Sequence, residues 1–584
     1  MLPLLALFAG CSDDDENKPD QITLPEGVSE IVFTPEATAD QTLAFSSTAA
    51  WTVTLDKSGW VEVVPANGPA GDAVVTVKLT GAECTADREA TATITAGSAT
   101  ATFRIAQTAP VFAQSIRIVT PQKKLLLTKT MQLSVEVEPA DAVFDAVVWS
   151  SSDPSVLAVD SEGTVTALAL GKALVSATSG TLKAECQLEA TEVFTTDGEG
   201  ETYSFADLAA MASGVEAAAN VYTVTADLLI AAEDTLTLGD NEQIKICDGV
   251  SIQVLGLVDF TPETTAEFLP SDEAAVPATL YFTDEIGGGE IRNVTFSGVP
   301  IRYFGGAPLT IESCTFKQIV SKYAAINLGG SGLISVSECK FLENAYPAIS
   351  GGANLATPLL FKNNYLYKNS NDTRNRPQIN VTVGGDSAVE IIGNTVIGPG
   401  EITMNGGIAV ANMLGIGGTN KVLIEGNEVS DCRYGITTNG VMDVRIIDNV
   451  LKDNKWESNA MNGGSGVSIY NAAGGQKIYM SGNTITGHLW GITNIGNVAG
   501  GVGPSLNMGN LTQGDDYNPG GNIFSDNGNG GVLYDLYNNS SLTVYAQGNT
   551  WNVATQDRES IEQVIFHKVD NAQLGEVIFM PDGQ

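Results

Sequence analysis

Five residues in the C-terminal half carry side chains fit for acid–base work: Asp431, Arg433, Asp453, Lys455 and His488. Carboxylates, imidazoles and amines can move a proton to or from a reacting group, and a guanidinium can hold a carboxylate or hydroxyls in a fixed fork. Aromatic residues lie beside them or in equivalent places: Tyr323, Tyr346, Tyr434, Trp456 and Trp490. Flat rings suit the C–H faces of sugars, and flanking charges can bond hydroxyls. The pair Asp515-Asp516 suits Ca²⁺, or acid–base attack on a glycosidic bond; no other cofactor is indicated. Competing structural readings stand beside these. The rings can simply cover a turn, and Asp515-Asp516 leads into a Pro519-Gly520-Gly521-Asn522 turn. Of the two histidines only His488 lies among the candidates, because His567 reads as part of a C-terminal cap.

Whatever positions these residues repeats itself. A phrase returns from Asn293-Val294-Thr295-Phe296 to Gly548-Asn549-Thr550-Trp551, with intervening copies such as Gly426-Asn427-Glu428-Val429. The copies are 20 residues apart at the closest (293 to 313) and 39 at the widest (483 to 522). Units of this size cannot bury their own apolar face and must stack as a solenoid. Apolar and polar residues alternate, as in Val422-Leu423-Ile424-Glu425, which predicts strands rather than helices. Asn at the second place from Asn364 to Asn549 predicts a buried ladder of amides bonded coil to coil. On these residues the stretch 200–584 resembles a right-handed parallel β-helix of the pectin-lyase-like type. That fold hosts binders, lyases, hydrolases and spike proteins. The hydrolase and lyase signatures of the fold, an Asp-rich pair with Gly-His-Gly or an Asp cluster with Arg, are missing. Insertions in the coils between Asn449 and Asn522 mark where a site would be framed, and Asn371-Asp372-Thr373-Arg374-Asn375-Arg376 is a dense basic spot.

Two smaller all-β modules precede the solenoid. In residues 22–108, Trp51, Trp60-Val61-Glu62-Val63-Val64-Pro65, Gly68-Pro69-Ala70-Gly71, Arg88 and Gln107 come in an order that resembles a BACON domain. Both tryptophans are expected in its core. In residues 112–191, Val148-Trp149-Ser150-Ser151, Asp160 to Gly163 and Gly171-Lys172-Ala173 resemble a group 2 bacterial Ig-like domain. Trp149 is expected to fill that sandwich, and Asp160–Gly163 to form a hairpin turn. Ser204 is predicted to cap a short helix that closes the solenoid, with Phe205, Leu208 and Met211 on its apolar side. Residues 261–278 read as an external loop.

The chain has 584 residues with 68 acidic against 29 basic, a formal net charge of -39. That balance disfavours nucleic acid as a partner and repels a polyanion. Residues 1–21 read as an address: Phe8-Ala9-Gly10-Cys11 resembles a lipobox, with Cys11 as the lipidation site, and Asp13-Asp14-Asp15-Glu16 resembles the acidic export tag of surface lipoproteins. The resemblance implies a lipid anchor in the outer membrane, facing the exterior, and no other membrane contact. A monomer is expected. Cys314 and Cys339 occupy equivalent ladder places and read as stacked thiols, with a disulfide left open by the coil spacing. Three functions stand: a surface lipoprotein binding polysaccharide through its β-helix, a polysaccharide lyase or glycoside hydrolase, and an adhesive or structural stalk.

Overall fold

The computed structural model describes residues 19–581, apart from 38, 82, 272–277, 284–285, 321, 352–356, 373 and 414. Cys11 and the acidic run behind it therefore lie outside the described residues. The chain forms two compact units, one of residues 1–119, 134–150 and 176–186, the other of 120–133, 151–175 and 187–584.

In the first unit, residues 22–107 make a sandwich of a four-stranded and a five-stranded sheet. Strands such as Gln41–Ser47 bury alternate residues, so Phe33, Phe45, Trp51, Trp60, Ile94 and Phe103 share one core. Trp51 meets Phe45 edge-on at 5.0 Å, and it lies so close to Gly68 that a Cβ there would come within 2.5 Å of the indole. The scattered Trp, Arg and Gln signals become one contact. The Arg88 guanidinium sits 4.8 Å from the Trp60 ring and donates to Gln107 Oε1. Trp149 differs from expectation: it is only half-buried and joins neither core. In the second unit, Asp160 does turn a hairpin, its carboxylate accepting from the Glu162 and Thr164 N–H groups.

The remainder of the second unit is a right-handed parallel β-helix with three sheets of 14, 14 and 13 strands. In chain order, the first sheet begins at Phe194–Thr195, the second at Thr202–Tyr203 and the third at Val215–Ala218. The short helix Phe205–Ala210 begins in a Ser204/Asp207 capping box and buries Phe205 and Leu208 against the first coils. Residues 261–278 are not all loop, because Ala266–Pro270 is a strand of the third sheet, paired in register with Gln243–Ile246. Inside, Phe268, Phe296, Phe316 and Phe341 stack at 4.9–5.2 Å.

Two ladders pin the coils. The first runs between the second and third sheets through Cys314, Cys339, Asn364, Asn394, Asn427, Asn449, Asn483, Asn522 and Asn549. Each asparagine takes the N–H of the previous coil on its Oδ1, at 2.9–3.1 Å. The two cysteines are free thiols. The residue before each ladder member turns the chain with φ near +55 to +75°, which explains its spelling as Asn, Asp or Gly at most coils. The second ladder runs between the third and first sheets and was not foreseen. The backbone N–H groups of Ile319, Asn344, Asn369, Cys432, Asn454 and His488 donate in turn to Asn344, Asn369, Gln378, Asn454, His488 and Asn527 side chains.

Candidate functional site

The outward residues of the first sheet form one row, fixed by the strand register. It reads Tyr281, Arg302, Asn327, Ser350, Asn380, Ala409, Thr437, Ser468, Thr493, Tyr537 and Phe566. The next outward row reads Thr382, Ala411, Asn439, Tyr470, Ile495 and Asn539. From Asn380 to Thr493 neither row carries a charged side chain. At about 4.8 Å per coil, those five coils make a neutral strip roughly 19 Å long. An aromatic cluster closes its Thr493 end. Trp490 stacks on Tyr537 at 4.6 Å, and Tyr537 stacks on Phe566 at 4.7 Å, with Tyr534 beside them. Three coils before Asn380 in the same row, Tyr281, Phe304 and Tyr323 surround Arg302.

One flank of the strip is held by Arg433, which is 7% exposed. Its Nε donates to Glu457 at 2.7 Å, one Nη to Asn375 Oδ1 at 2.7 Å, and the other to the Asn462 carbonyl at 2.7 Å. The guanidinium therefore ties the basic loop 371–376 to the insertion 453–464. All three guanidinium nitrogens bond to the protein itself, so Arg433 acts as a clamp between the two segments. Arg433→Met is expected to destabilise by about 2 kcal/mol, less than the loss of a fully dry pair because Glu457 keeps some solvent. The same change is expected to open 453–464 to limited proteolysis, which reads out the clamp directly.

The other predicted acid–base residues are also accounted for by the scaffold. Asp431 and Asp453 have φ of +57° and +51° and hold the left-handed turn just before the second ladder, as does Asp526 at +55°. Asp tolerates that conformation better than most residues. Lys455 caps Asp453 at 2.7 Å. His488 is 1% exposed and is a rung of the second ladder. Its Nδ1 accepts from the Asn454 N–H at 3.1 Å, and its Nε2 faces the Leu451 carbonyl at 3.1 Å. Burial, partly offset by those two bonds, brings its pKa down to about 4, so the ring is neutral and has no free nitrogen for substrate.

The predicted aromatic column is not one column. Extending the register, Tyr323 and Tyr346 align with Arg376, Asn405 and Arg433, one place before the column of Gly406, Tyr434, Ser465 and Trp490. Tyr346 carries the Arg376 guanidinium at 4.2 Å, and Asp372 neutralises that arginine at 3.1 Å. Tyr434 packs over Gly406, where a Cβ would fall 2.2 Å from the ring. Trp490 is 7% exposed and Trp456 half-buried, and the Nε1 of each is enclosed without a partner. Asp515 and Asp516 lie exposed in a turn, and Asp516 contributes its carbonyl to Asn507. Among the described residues no group of three or more His, Cys, Asp or Glu could hold a metal ion. His567 sits in the cap as expected, accepting from the Val577 N–H and bonded to Glu562 at 2.6 Å.

A second feature had no sequence signal. On the second sheet a groove of about 460 Å³ is lined by Glu390, Lys421, Leu423, Glu425, Asp443 and Arg445. Arg445 stacks on Tyr479 at 4.2 Å. Among the described residues Glu390, Glu425 and Asp443 stand without an ion pair. The register alone brings them together, since their coils are spelled no differently from others.

An all-β chain with Ig-like sandwiches ahead of a right-handed parallel β-helix is the class this fold defines. Within it, residues 112–188 match the family described as bacterial Ig-like domain (group 2). A stretch of 56 residues is 39% identical to an uncharacterized protein of Clostridium acetobutylicum, covering 10% of this chain and 14% of that one. Among solved structures, a Bacteroides ovatus GH5 xyloglucanase in complex with a XXXG heptasaccharide is 16% identical over 19% of this chain and 27% of its own, with a TM-score of 0.14. Domains 4 and 5 of the S-layer protein SbsC are 13% identical over 30% of this chain and 98% of theirs, with a TM-score of 0.21. At those scores neither likeness bears on what the β-helix does.

Proposed function

We propose that this chain is a cell-surface lipoprotein that binds polysaccharide along the first sheet of its β-helix. The observation that carries this reading is the neutral strip from Asn380 to Thr493, closed by an aromatic cluster at the Thr493 end and flanked by the loops that Arg433 clamps. The amide and hydroxyl side chains of Asn380, Thr437, Asn439 and Ser468 offer hydrogen bonds to sugar rings, and the aromatic cluster beyond Thr493 offers a stacking face. The strip has no carboxylate, imidazole, lysine or arginine to move a proton, which favours binding over cleavage there. A net charge of -39 favours an uncharged glycan backbone. The lipobox-like Phe8-Ala9-Gly10-Cys11 and the acidic run after it support lipid anchoring at the outer surface. The BACON-like and Ig-like modules are then spacers.

A hydrolytic reading has one observation of its own, the second-sheet groove, whose Glu390, Glu425 and Asp443 have no ion pair among the described residues. Both readings are separated by one experiment. Affinity electrophoresis of the mature chain in gels containing neutral polysaccharides is expected to show retardation in at least one. Ser468→Glu and Thr437→Glu are expected to weaken that retardation at least tenfold while leaving thermal stability unchanged, since both side chains point outward and are only half-buried. Release of reducing ends that vanishes in Glu425→Gln would instead support cleavage on the second sheet. Unretarded migration on every polysaccharide would sink the binding reading.

A further inference from the structure

We propose that Arg302 and Lys322 form a receptor for a single anionic group, a sulfate ester or a carboxylate, carried by the glycan bound along the first sheet. Three arginines lie along this face, and two of them are neutralised within the protein: Arg376 by Asp372 and Arg433 by Glu457. Arg302 meets no carboxylate among the described residues. Its guanidinium is held between the Tyr281 ring at 4.5 Å and the Tyr323 ring at 4.7 Å, with Phe304 at 5.4 Å. Its Nε is enclosed without an acceptor. Lys322 approaches the same Tyr323 ring, its Nζ 5.2 Å from the centroid, and likewise forms no ion pair among the described residues. In a chain with 68 acidic and 29 basic residues, two cations without an ion pair among the described residues, gathered on one ring, stand out.

The rings do the positioning. A guanidinium stacked on aromatic faces keeps its edge donors free and loses little rotamer freedom when an anion arrives. The charge-assisted bonds it then makes are stronger than neutral ones. The register sets the spacing. Arg302 lies three coils before Asn380, through Asn327 and Ser350, roughly 14 Å along the row. It also excludes a polyuronate. A carboxylate on every ring would bring charges over Asn380, Thr437 and Ser468, where no cation meets them. The fitting ligand is a mostly neutral chain with one anionic substituent near the end that lies over Arg302. The anion site itself stands apart from the neutral-strip reading, which it uses only to say what carries the anion.

The test uses the full mature chain and its Arg302→Met, Arg302→Lys and Lys322→Gln variants, with methionine chosen to keep the packing between the tyrosines. Matched oligosaccharides are compared on an array: neutral, singly sulfated, singly uronate-bearing and polyuronate. Wild type is expected to prefer a singly charged form over its neutral parent at least tenfold. Arg302→Met should abolish that ratio, Arg302→Lys should retain part of it, and Lys322→Gln should reduce it several-fold. The sulfate and uronate arms identify the source of the charge. Strongest binding to the polyuronate, no preference in wild type, or an unchanged ratio in Arg302→Met would each overturn the proposal. Titration with inorganic sulfate and free glucuronate, at constant ionic strength, reads the site without a glycan chain. An Arg302-dependent response there, with no effect of Ser468→Glu on any glycan, would sink the strip reading and leave the anion site standing.

Discussion

Replacing Asn449 by alanine is expected to lower the unfolding free energy by about 4 kcal/mol. The side chain is fully buried and makes five bonds. Its Oδ1 accepts from the N–H and Nδ2 of Asn427, at 3.0 and 2.9 Å. Its Nδ2 donates to the Ile424 and Ile447 carbonyls and to Asn483 Oδ1, at 2.9–3.0 Å. Truncation leaves the Asn427 N–H without an acceptor and the Ile424 carbonyl short of a donor, in a fully buried site. Each orphaned group costs about 1–3 kcal/mol. The neighbouring outward residue Glu428 is a fair control, since its replacement by alanine should stay within about 0.5 kcal/mol. Chemical denaturation of the two variants checks this. Coils couple mainly to their neighbours, so hydrogen exchange should also show the loss centred on the coils of Asn427 and Asn483.

The second large effect is a pair of opposed pH dependences. His488 titrates near 4 in the fold because burial disfavours the imidazolium, against about 6.5 when unfolded. Between those values the unfolded chain takes up a proton and the folded chain does not. Stability from this group is therefore complete above pH 6.5 and is lost as the pH falls towards 4. Asp535 behaves in the opposite sense. Burial raises its carboxyl to about 6, although the Asn552 N–H and Asn527 Nδ2 bond to it. Between about pH 4 and 6 the folded state holds the extra proton. Its contribution is complete below pH 4 and is lost as the pH rises through 6. At about 1.4 kcal/mol per unit, each shift is worth about 3 kcal/mol. The two groups belong to one hydrogen-bonded chain, because Asn527 accepts from the His488 N–H and donates to Asp535.

In the wild type the contributions of these two groups are thus expected to offset each other from pH 4 to 6.5. His488→Asn, which supplies another acceptor to the ladder, should expose the Asp535 slope, with stability rising as the pH falls. Asp535→Asn should expose the His488 slope, with stability falling as the pH falls. Thermal unfolding of the three proteins at half-unit pH steps reads both signs, and parallel profiles would contradict the assignment.

The first ladder was legible because its spelling is uniform from Asn364 to Asn549, where an amide both accepts and donates at each coil. The second ladder was not, because its essential service is to accept a backbone N–H. Asn, Gln and His all do that at different coils, and Cys432 fills a rung as well. Its signal was present, in Phe341-Leu342-Glu343-Asn344, Leu366-Tyr367-Lys368-Asn369, Leu451-Lys452-Asp453-Asn454 and Phe524-Ser525-Asp526-Asn527. Read that way, the aspartates just before the rungs are turn residues, which residue type alone could not reveal. The aromatic column failed by one place because the loop between the second ladder and the first sheet varies in length: Tyr346 follows Asn344 by two residues, whereas Arg376 follows Asn369 by seven and Arg433 follows Cys432 by one. The neutral strip is a property of register. Asn380, Ala409, Thr437, Ser468 and Thr493 are unremarked in sequence and become a surface only when the coils stack.

The most direct test of the binding account is hydrogen exchange with and without a retained neutral oligosaccharide. Protection is expected along the first sheet and its clamped flank, in 376–382, 405–412, 436–440, 465–470 and the loop 453–464. Protection confined to the second-sheet strands around Glu390, Glu425 and Arg445, or none in the β-helix, would contradict it.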